Sequence, residues 1–499
     1  MIDQDRYFSL LASVGITLHA PNGNVLMASP SGADRRQILA EASRKRLDER
    51  HIEGTREGLI AEIADELRLI RREKPSIYEK PNSLPVRELD WSHARERLGR
   101  IQVGDPKFDW HTAIEYLDNH GIALRPFSLP QGERGDTNTE VGFPFLFEAY
   151  RKSDGYVISG GKGQSSEDAQ MGAIAEAIER TVAACPTLKI FATDSDDLRR
   201  TGFTIPYFDV GPRDAYSASL VLDWVAAHTL AGQPAALPAE RALYNYNPKS
   251  GIRAFAWQHT AGLAAGNSIQ EALWAAVSEV IERDAYWLTM RCKLVAPTVR
   301  VDVAFQRAPF LEEIFDRTGL RVILKDISLD WPLRVVHALI FDESGRVPAF
   351  SHGTGSAPDT AVAAVKAILE AFQIRAGLIR RCVATNDEAI LGGAFRPTGL
   401  IWSDPNSRWL VDHLLVAEVQ TDYNSAAPCQ PAELLREVER IGGPIVWTEL
   451  GQIAGLVVAR AYLENALLPQ PELEHIPTRL KKWLTRSGLR YPYLDPILS

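Results

Sequence analysis

The sequence predicts an α/β or α+β protein with more than one domain, and three observations lead to that prediction. The chain has 499 residues, which is more than a single hydrophobic core usually serves. Hydrophobic residues make up 45% and charged residues 24% of the chain, values typical of globular proteins with sizeable cores. From about Pro106 onward, helical periodicities alternate with short apolar runs. We therefore expect an N-terminal extension over residues 1–105 and a main domain over residues 106–499.

The extension contains a predicted hairpin and predicted helices. Gly15 to Ala28 alternates around an Asn-Gly pair, which favours a tight β-hairpin turn. Charged amphipathic patterns predict helices from Asp34 to Glu49, from Thr55 to Glu73 and from Trp91 to Arg100. Two roles stay open for the extension. It either packs over the main domain or recruits a peptide or partner, for example through an exposed strand edge.

The main domain begins with alternating elements. Ala113 to His120 is predicted to be a helix and Ile122 to Phe127 a strand. A polar loop from Gln131 to Glu140 and an aromatic, strand-like run from Gly142 to Tyr150 follow. Later apolar runs continue the pattern at Leu320 to Asp326, Leu333 to Phe341, Ile445 to Leu450 and Leu456 to Leu463.

Charge and cysteine content exclude several classes of function. The formal net charge of -9 argues against nucleic acid or an anionic membrane as the main partner, because both favour a basic surface. No uncharged apolar run is long enough to span a bilayer, and the residues from Met1 to Arg6 do not begin a signal peptide. The four cysteines form no C-x-x-C pair, so neither a zinc site nor a disulfide framework is indicated. A reducing cytoplasm is the expected location.

One sequence pattern recurs three times. Ala173 to Arg180 reads A-I-A-E-A-I-E-R, and Ala276 to Arg283 reads A-V-S-E-V-I-E-R, so both glutamates and the arginine return. The third copy, Ala367 to Arg375, reads A-I-L-E-A-F-Q-I-R and keeps one glutamate. A glycine-rich turn precedes each copy at a similar distance. These turns are residues 159–163, 261–267 and 352–355.

The spacing inside each copy brings like charges together. Residues three apart share a helix face, so Glu176 pairs with Glu179, and Glu279 pairs with Glu282. Two carboxylates on one face repel each other unless a cation lies between them. Mg²⁺ prefers carboxylate, water and phosphate oxygens. The sequence therefore predicts a magnesium site, at which the arginine after each pair reaches phosphate oxygens as a fixed fork.

A less specific interpretation stays open for these residues. An E-x-x-E-R string on its own is more often a solvated helix face, and the duplication could be structural without a metal. Lys162 lacks the spacing of a P-loop and could be an ordinary surface lysine. Asn267 and Gln373 could be a turn residue and a helix-surface residue.

Taken in order, these strings resemble the YcaO family. The first family signature, Ser-x-x-x-Glu-x-x-Glu-Arg, ends here at Arg180 and has Gly172 in place of the serine. The second, a G-L-A-A-G-N turn followed by Glu-x-x-Glu-Arg, is complete from Gly262 to Arg283. The third, Glu-x-x-Gln followed by arginine, spans Glu370 to Arg375. The resemblance covers roughly Gly142 to Arg381.

The resemblance implies a YcaO-type fold with internal pseudo-repeats, and ATP and Mg²⁺ as cofactors. It implies that the four glutamates hold Mg²⁺, while no catalytic residue is assigned. It also implies a reaction, in which a nucleophile adds to a backbone carbonyl and ATP phosphorylates the resulting oxyanion before phosphate leaves. The residues expected to contact the nucleotide are Lys162, Arg180, Asn267, Arg283, Gln373 and Arg375.

Several products and partners are compatible with that reaction. Cysteine, serine or threonine as the nucleophile gives an azoline, which is the main expectation, whereas external sulfide gives a thioamide and an amine gives an amidine. Azoline-forming relatives often end in P-x-P-x-P, but this chain has Pro492 and Pro496 at a different spacing. Expected partners are a peptide substrate and a leader-binding or sulfur-delivering protein, and the oligomeric state stays open, with a homodimer among the options. Gly172 also keeps open a catalytically weak accessory or binding subunit.

Overall fold

The computed structural model of the protein describes most of the main domain and parts of the N-terminal extension. The described residues are 16–19, 27–30, 77–78, 80–81, 83–97, 100–103, 108–127, 144–186, 188–206, 221–244, 246, 259–344, 348–384, 405–416, 430–468 and 478–488.

The described chain forms helices and mainly antiparallel strands, so the predicted α+β class is confirmed. The strands are β1 Ile16–His19, β2 Met27–Pro30, β3 Ile77–Tyr78, β4 Arg95–Arg97, β5 Arg100–Gln102, β6 Ile122–Pro126, β7 Phe145–Arg151, β8 Val157–Gly163, β9 Ile190–Thr193, β10 Leu222–Thr229, β11 Pro234–Pro238, β12 Leu263–Gly266, β13 Thr298–Val299, β14 Arg321–Asp326, β15 Arg334–Phe341, β16 Phe350–Ala357, β17 Ile445–Ile453 and β18 Leu456–Leu463. The helices are α1 Trp110–Asn119, α2 Ser166–Ala184, α3 Ser195–Arg200, α4 Ala239–Ala242, α5 Ile269–Arg291, α6 Val301–Arg307, α7 Pro309–Thr318, α8 Thr360–Ala384, α9 Asp412–Leu415, α10 Pro431–Gly442 and α11 Thr478–Ser487, with a 3₁₀ helix at Pro405–Leu410.

The N-terminal extension agrees with the sequence in one place and differs in another. The predicted hairpin is confirmed, since β1 and β2 pair antiparallel with Ile16 opposite Pro30. The helix predicted from Trp91 to Arg100 is wrong, because β4 and β5 form a second antiparallel hairpin there. Gly99 lies between these two strands and disfavours a helix, and β5 packs against α5. The helices predicted from Asp34 to Glu49 and from Thr55 to Glu73 lie outside the described residues.

The main domain is built on three sheets. A seven-stranded sheet has the order β12-β18-β17-β10-β9-β3, with β11 also paired to β10. A four-stranded sheet has the order β13-β14-β15-β16, and a three-stranded sheet the order β6-β7-β8. The strands and the first helix predicted in this domain are confirmed, whereas the predicted loop from Gln131 to Glu140 lies outside the described residues. No helix in the described part of the chain is long and apolar enough to cross a membrane.

Two hydrophobic clusters hold the helices on these sheets. The larger cluster packs Ile178 of α2 and Val277 of α5 with buried residues of the seven-stranded sheet, including Trp224 and Trp447. The smaller cluster packs α6, α7 and α8 on the four-stranded sheet, with Phe372 fully buried. The helices that carry the three repeats are therefore anchored in hydrophobic cores.

The three sequence repeats form three similar strand–helix units. Unit 1 is β8 with α2, unit 2 is β12 with α5, and unit 3 is β16 with α8. Each helix begins at a side-chain cap the same distance before its first glutamate. Ser165 and Ser268 accept from backbone N–H groups at 3.1 and 3.2 Å, and Asp359 accepts at 3.0 Å.

Glycines allow each helix to lie almost directly on its strand. A Cβ at Gly161 would lie 1.7 Å from the carbonyl oxygen of Ala169 in α2, which no side chain tolerates. In unit 3, a Cβ at Gly355 would lie 2.4 Å from the carbonyl oxygen of Ala363. The glycine-rich turns of the sequence therefore serve close packing of helix on strand.

The three units contact one another in cyclic order. Helix α2 of unit 1 contacts β12 of unit 2, helix α5 of unit 2 contacts β16 of unit 3, and helix α8 of unit 3 contacts β8 of unit 1. Each helix thus lies on its own strand and on the strand of the next unit. This arrangement turns the repeated glutamates toward one shared centre.

Candidate active site

The first glutamate of each unit is fixed by the strand of its own unit. One carboxylate oxygen accepts a hydrogen bond from a backbone N–H group in that strand or, in unit 2, directly before it. The pairs are Glu176 with Gly160 at 3.0 Å, Glu279 with Gly262 at 3.1 Å and Glu370 with Thr354 at 2.9 Å. The glycine-rich segments therefore supply backbone donors to the protein's own carboxylates.

In units 2 and 3, the residue three positions after the first glutamate contacts the strand of the next unit. Glu282 of unit 2 accepts hydrogen bonds from the hydroxyls of Thr354 at 2.7 Å and Ser356 at 3.1 Å, both in β16. Gln373 of unit 3 donates to the carbonyl oxygen of Gly160 in β8 at 2.8 Å. These contacts close the cycle between the units.

Glu179, the corresponding residue of unit 1, has a different environment. No described residue donates a hydrogen bond to its carboxylate. The positions that correspond to Thr354 and Ser356 are Gly262, directly before β12, and Ala264 in β12, and neither carries a hydroxyl. Burial, followed by repulsion from Glu279 and Glu176, raises the pKa of Glu179 well above its usual value. A carboxylate in this position is stabilised most directly by a cation.

Arg283 connects two units electrostatically. Its guanidinium nitrogens lie 3.5 Å from Glu279, 3.8 Å from Glu282 and 3.6 Å from Glu370. Burial alone would lower the pKa of Arg283, but these three carboxylates raise it above its usual value. Arg283 therefore carries a permanent positive charge at the centre of the site.

The carboxylates around Arg283 differ in their proton affinity. Burial raises the pKa of Glu279 to about 7, although Arg283 opposes this effect and Glu282 adds to it. Burial also acts on Glu370, but Lys162 and Arg283 outweigh it and lower its pKa to about 2. Near neutral pH, Glu370 is ionised and Glu279 is close to its midpoint.

Other predicted nucleotide contacts are distributed unevenly. Lys162 of β8 lies close enough to Glu370 to interact with it, and Arg180 forms an ion pair with Glu176 at 2.6 Å. Asn267 instead contacts Glu271 of its own turn at 3.0 Å. These three residues remain predictions as nucleotide ligands, and the turn interpretation of Asn267 matches its contact.

Arg375 is not brought to the centre of the site. It is 5% exposed and pairs with Asp342 at 2.7 Å, while it also donates to the carbonyl oxygen of Pro348. Its contacts join α8 to the end of β15. Its predicted role in nucleotide binding therefore has no support from its contacts and remains a prediction.

The carboxylate arrangement fits a magnesium ion that shares its ligands with a nucleotide. Among the described residues, no three acidic, histidine or cysteine side chains lie close enough together to enclose a metal by themselves. Mg²⁺ commonly binds one or two carboxylates and completes its shell with waters and phosphate oxygens. The raised pKa of Glu179 and the mutual repulsion of the glutamates match such a site. The four glutamates remain the predicted metal ligands.

Gly172 lies where α2 approaches β8 most closely. A Cβ at this position would lie 3.3 Å from the Cα of Gly161, which is a tight contact. Close packing of α2 against β8 therefore favours glycine over the family serine at this position.

Two arginines of the site region escaped prediction from sequence. Arg460 is the charged residue of β18, whose eight residues are all buried, and it interacts with Glu279 and Glu179. Arg241 follows β11 in the short helix α4 and is 5% exposed. A single charge inside an apolar strand run was the available signal for Arg460.

Comparison with known sequences decides the family. Residues 160–459 match the sequence model of the YcaO cyclodehydratases, which is described as ATP- and Mg²⁺-binding. The chain belongs to the YcaO family. The resemblance seen in the repeated strings is thereby confirmed, and so are ATP and Mg²⁺ as the expected cofactors, since both are named for the family.

The YcaO chain is similar to several known proteins. An uncharacterized protein of Methanothermobacter thermautotrophicus is 31% identical over 271 residues, which are 52% of this chain and 67% of that protein. A heterocyclase solved in complex with substrate and cofactor superposes with a TM-score of 0.57 at 16% identity. That match covers 80% of this chain but only 58% of the heterocyclase.

A third similarity concerns an assembly. A chain of the Escherichia coli microcin synthetase McbBCD complex superposes with a TM-score of 0.52 at 16% identity, covering 71% of this YcaO chain and 88% of that chain. At such low identity, the two solved structures establish the YcaO-type fold alone.

Proposed function

We propose that this YcaO protein uses ATP and Mg²⁺ to activate a peptide backbone amide by phosphorylating its oxygen. The main reaction proposed is cyclodehydration of cysteine, serine or threonine to an azoline in a ribosomally made peptide. The observation that carries the proposal is the cyclic closure of the three units around Glu176, Glu179, Glu279 and Glu282, with Arg283 between units. Such a centre combines carboxylates for a cation with a fixed positive charge for phosphate.

The proposed reaction balances as follows. The thiol or hydroxyl of the substrate adds to the preceding carbonyl carbon and releases its proton. The oxyanion takes the terminal phosphoryl group of ATP, and ADP leaves. Loss of the amide N–H proton and departure of phosphate then form the C=N bond of the azoline. The amide oxygen is a poor leaving group until it is phosphorylated, and this explains the need for ATP.

The residues of the site have distinct parts in this proposal. Glu179 and the other predicted ligands would hold Mg²⁺, which neutralises phosphate oxygens when it is bound. Arg283 keeps its charge because three carboxylates surround it. Gln373 fixes unit 3 against unit 1 through the carbonyl oxygen of Gly160. Lys162 and Arg180 extend the positive charge along β8 and α2.

Phosphate release and peptide mass test the proposal together. The chain is incubated with ATP, Mg²⁺ and a Cys/Ser/Thr-rich peptide. Loss of one water per modified residue, matched by one phosphate, supports cyclodehydration. Glu282→Gln keeps the shape of the side chain but removes its charge, and it should abolish magnesium-dependent turnover. Undiminished phosphate release by this variant would contradict the metal assignment.

A second candidate is thioamide formation, which shares the phosphorylation of the amide oxygen with cyclodehydration. In this alternative, sulfide from a partner protein replaces the side-chain nucleophile, and the activated oxygen again leaves as phosphate. Exchange of one oxygen for sulfur in the peptide mass, dependent on a sulfur source, would support it over cyclodehydration.

We propose that the extension, residues 1–105, is the part of the chain that binds the peptide or a partner. Part of it lies on the main domain, since β3 pairs with β9, and Arg87 pairs with Glu449 at 2.6 Å. These contacts support a packing role for residues 77–97. Recruitment is therefore proposed for the part before β3, and a chain lacking residues 1–75 should keep ATP hydrolysis but lose peptide or partner affinity.

A further inference from the structure

Two buried arginines lie next to the carboxylate centre without an ion pair. Arg460 of β18 is 3% exposed and Arg241 of α4 is 5% exposed. Within the described residues, neither guanidinium lies at ion-pair distance from a carboxylate. The two arginines are close enough to repel each other. Burying two like charges together is costly unless an anion or hydrogen-bond acceptors accompany them.

His259 connects the arginines and adds a third donor. Arg460 donates to the carbonyl oxygen of His259 at 2.9 Å and contacts its Nδ1 at 3.4 Å. A guanidinium only donates, so Nδ1 is the acceptor in this contact, which favours the tautomer with its proton on Nε2. Burial, followed by the charges of Arg460 and Arg241, lowers the pKa of His259 well below its usual value, so the ring is neutral.

Two buried nitrogens of this group have no hydrogen-bond partner among the described residues. They are Nε of Arg241, which always carries a proton, and Nε2 of His259. Unpaired buried donors are rare in proteins because each costs the full desolvation of its N–H group. Donors from an arginine pair and an imidazole that lack acceptors are suited to an oxyanion.

The neighbouring charges indicate which oxyanion belongs here. Arg460 interacts with Glu279 and Glu179, two of the predicted metal ligands, and His259 interacts with Arg283. An anion between the arginines would therefore lie beside the proposed Mg²⁺–nucleotide centre. Guanidinium groups bind phosphate through charge-assisted hydrogen bonds, and phosphate is the anion that the proposed reaction brings to this centre.

We propose that Arg241, Arg460 and His259 form a phosphate site that adjoins the carboxylate centre. This inference rests on the proposed function for the source of the phosphate. The site takes either the terminal phosphate of the nucleotide or the phosphate released from the activated amide. In both cases, the arginines neutralise the oxygens that the predicted metal ligands do not face.

Calorimetry with inorganic phosphate tests the site without turnover. The full chain without nucleotide should bind phosphate, and Arg241→Met should weaken this binding by about tenfold or more, because a charge-assisted hydrogen bond is lost. Arg317→Met is the matched control, since Arg317 is 57% exposed and pairs only with Glu313 on the surface of α7. The control should bind phosphate as the unaltered chain does.

Nucleotide titrations distinguish the two sources. If the site holds the terminal phosphate of the nucleotide, Arg241→Met weakens a non-hydrolysable ATP analogue and leaves ADP unchanged. If it holds released phosphate, both nucleotides bind normally, and inhibition of turnover by added phosphate is lost. Either outcome supports the phosphate site.

One result would overturn the inference, namely unchanged affinity for phosphate, the ATP analogue and ADP in both Arg241→Met and Arg460→Met. Arg241→Lys and Arg460→Lys keep the charge and replace any methionine variant whose circular dichroism differs from that of the unaltered chain. If the unaltered chain binds phosphate but never modifies a peptide, the proposed function fails while the phosphate site stands.

Discussion

Units 1 and 2 carry the same E-x-x-E-R string but surround its second glutamate differently. Glu282 of unit 2 accepts from two hydroxyls of β16 and is fixed by the protein itself. For Glu179 of unit 1, the corresponding positions are Gly262 and Ala264, which offer no hydroxyl. The same residue of the repeat therefore has different surroundings in the two units. Both glutamates are predicted metal ligands, but only Glu282 is held by hydrogen bonds from described hydroxyls.

Among the tests of the contrast between units 1 and 2, the largest effect is expected from Glu179→Gln. Removal of this charge should lower magnesium-dependent ATP turnover by about 100-fold or more, because the unpartnered carboxylate is the predicted cation ligand. The same variant should unfold at a higher temperature without Mg²⁺, since a buried, repelled charge is gone. Turnover assays and thermal unfolding measure the two effects. A variant that turns over normally, or melts lower, would remove the contrast between units 1 and 2.

The second largest effect is expected in the pH dependence of the free energy of unfolding, which should change by up to ~3 kcal/mol. The pKa of Glu279 is raised from 4.5 to about 7, so the folded protein binds this proton more tightly than the unfolded chain. Its contribution to stability is therefore present below pH 4.5 and lost as the pH rises toward 7. Denaturant unfolding without Mg²⁺ should show this fall, and Glu279→Gln should flatten it. A curve that rises through this window in both proteins would contradict the raised pKa.

Thr354→Val makes the surroundings of Glu282 in unit 2 more like those of Glu179 in unit 1. The substitution keeps the shape of the side chain but removes the hydroxyl that lies 2.7 Å from Glu282. We expect a loss of about 1–3 kcal/mol in unfolding free energy without Mg²⁺, because a buried carboxylate loses a donor. Mg²⁺ with ATP should restore part of that loss.

Thr485→Val is the control for this comparison, since its hydroxyl bonds only to a carbonyl oxygen within α11. Mg²⁺ with ATP should raise the unfolding free energy of Thr485→Val by the same amount as that of the unaltered chain. Equal responses of the two threonine variants would show that the hydroxyl of Thr354 does not distinguish the units.

The smallest effect is expected from Gly172→Ser in unit 1. Serine favours a helix over glycine, but its Cβ would lie 3.3 Å from the Cα of Gly161. The two effects oppose each other, so stability should change by less than about 1 kcal/mol. Nucleotide affinity should rise as the hydroxyl gains access to the phosphates. Unchanged affinity by calorimetry would mean that another group already serves that role.

The sequence predicted local features of this fold more successfully than relations between distant segments. The E-x-x-E-R strings lie on α2 and α5, and the strand from Leu456 to Leu463 was visible as an apolar run, because periodicity and spacing are local properties. The hairpin of β4 and β5 was missed because its packing on α5 overrides a weak helical pattern.

The arrangement of the site depended on contacts that no spacing encodes. The cyclic order of the units, the hydroxyls around Glu282 and the position of Arg460 beside Glu179 all join segments far apart in the chain. Arg375 shows the converse, since it belongs to the third repeat yet pairs with Asp342 and not with the repeated glutamates. Sequence placed the residues on helices, but packing decided which of them meet.

The hydrogen bond between Gln373 and Gly160 has a consequence for the order of folding. It joins residues 213 positions apart, and contacts of such separation form slowly because a long loop must close first. Units 1 and 2 can pair before α8 is in place, whereas the cycle closes only with this contact. We therefore expect nucleotide binding to appear as a late event during refolding, after most helical signal has returned. A newly made chain would remain unable to bind ATP until residue 373 has left the ribosome and docked on β8.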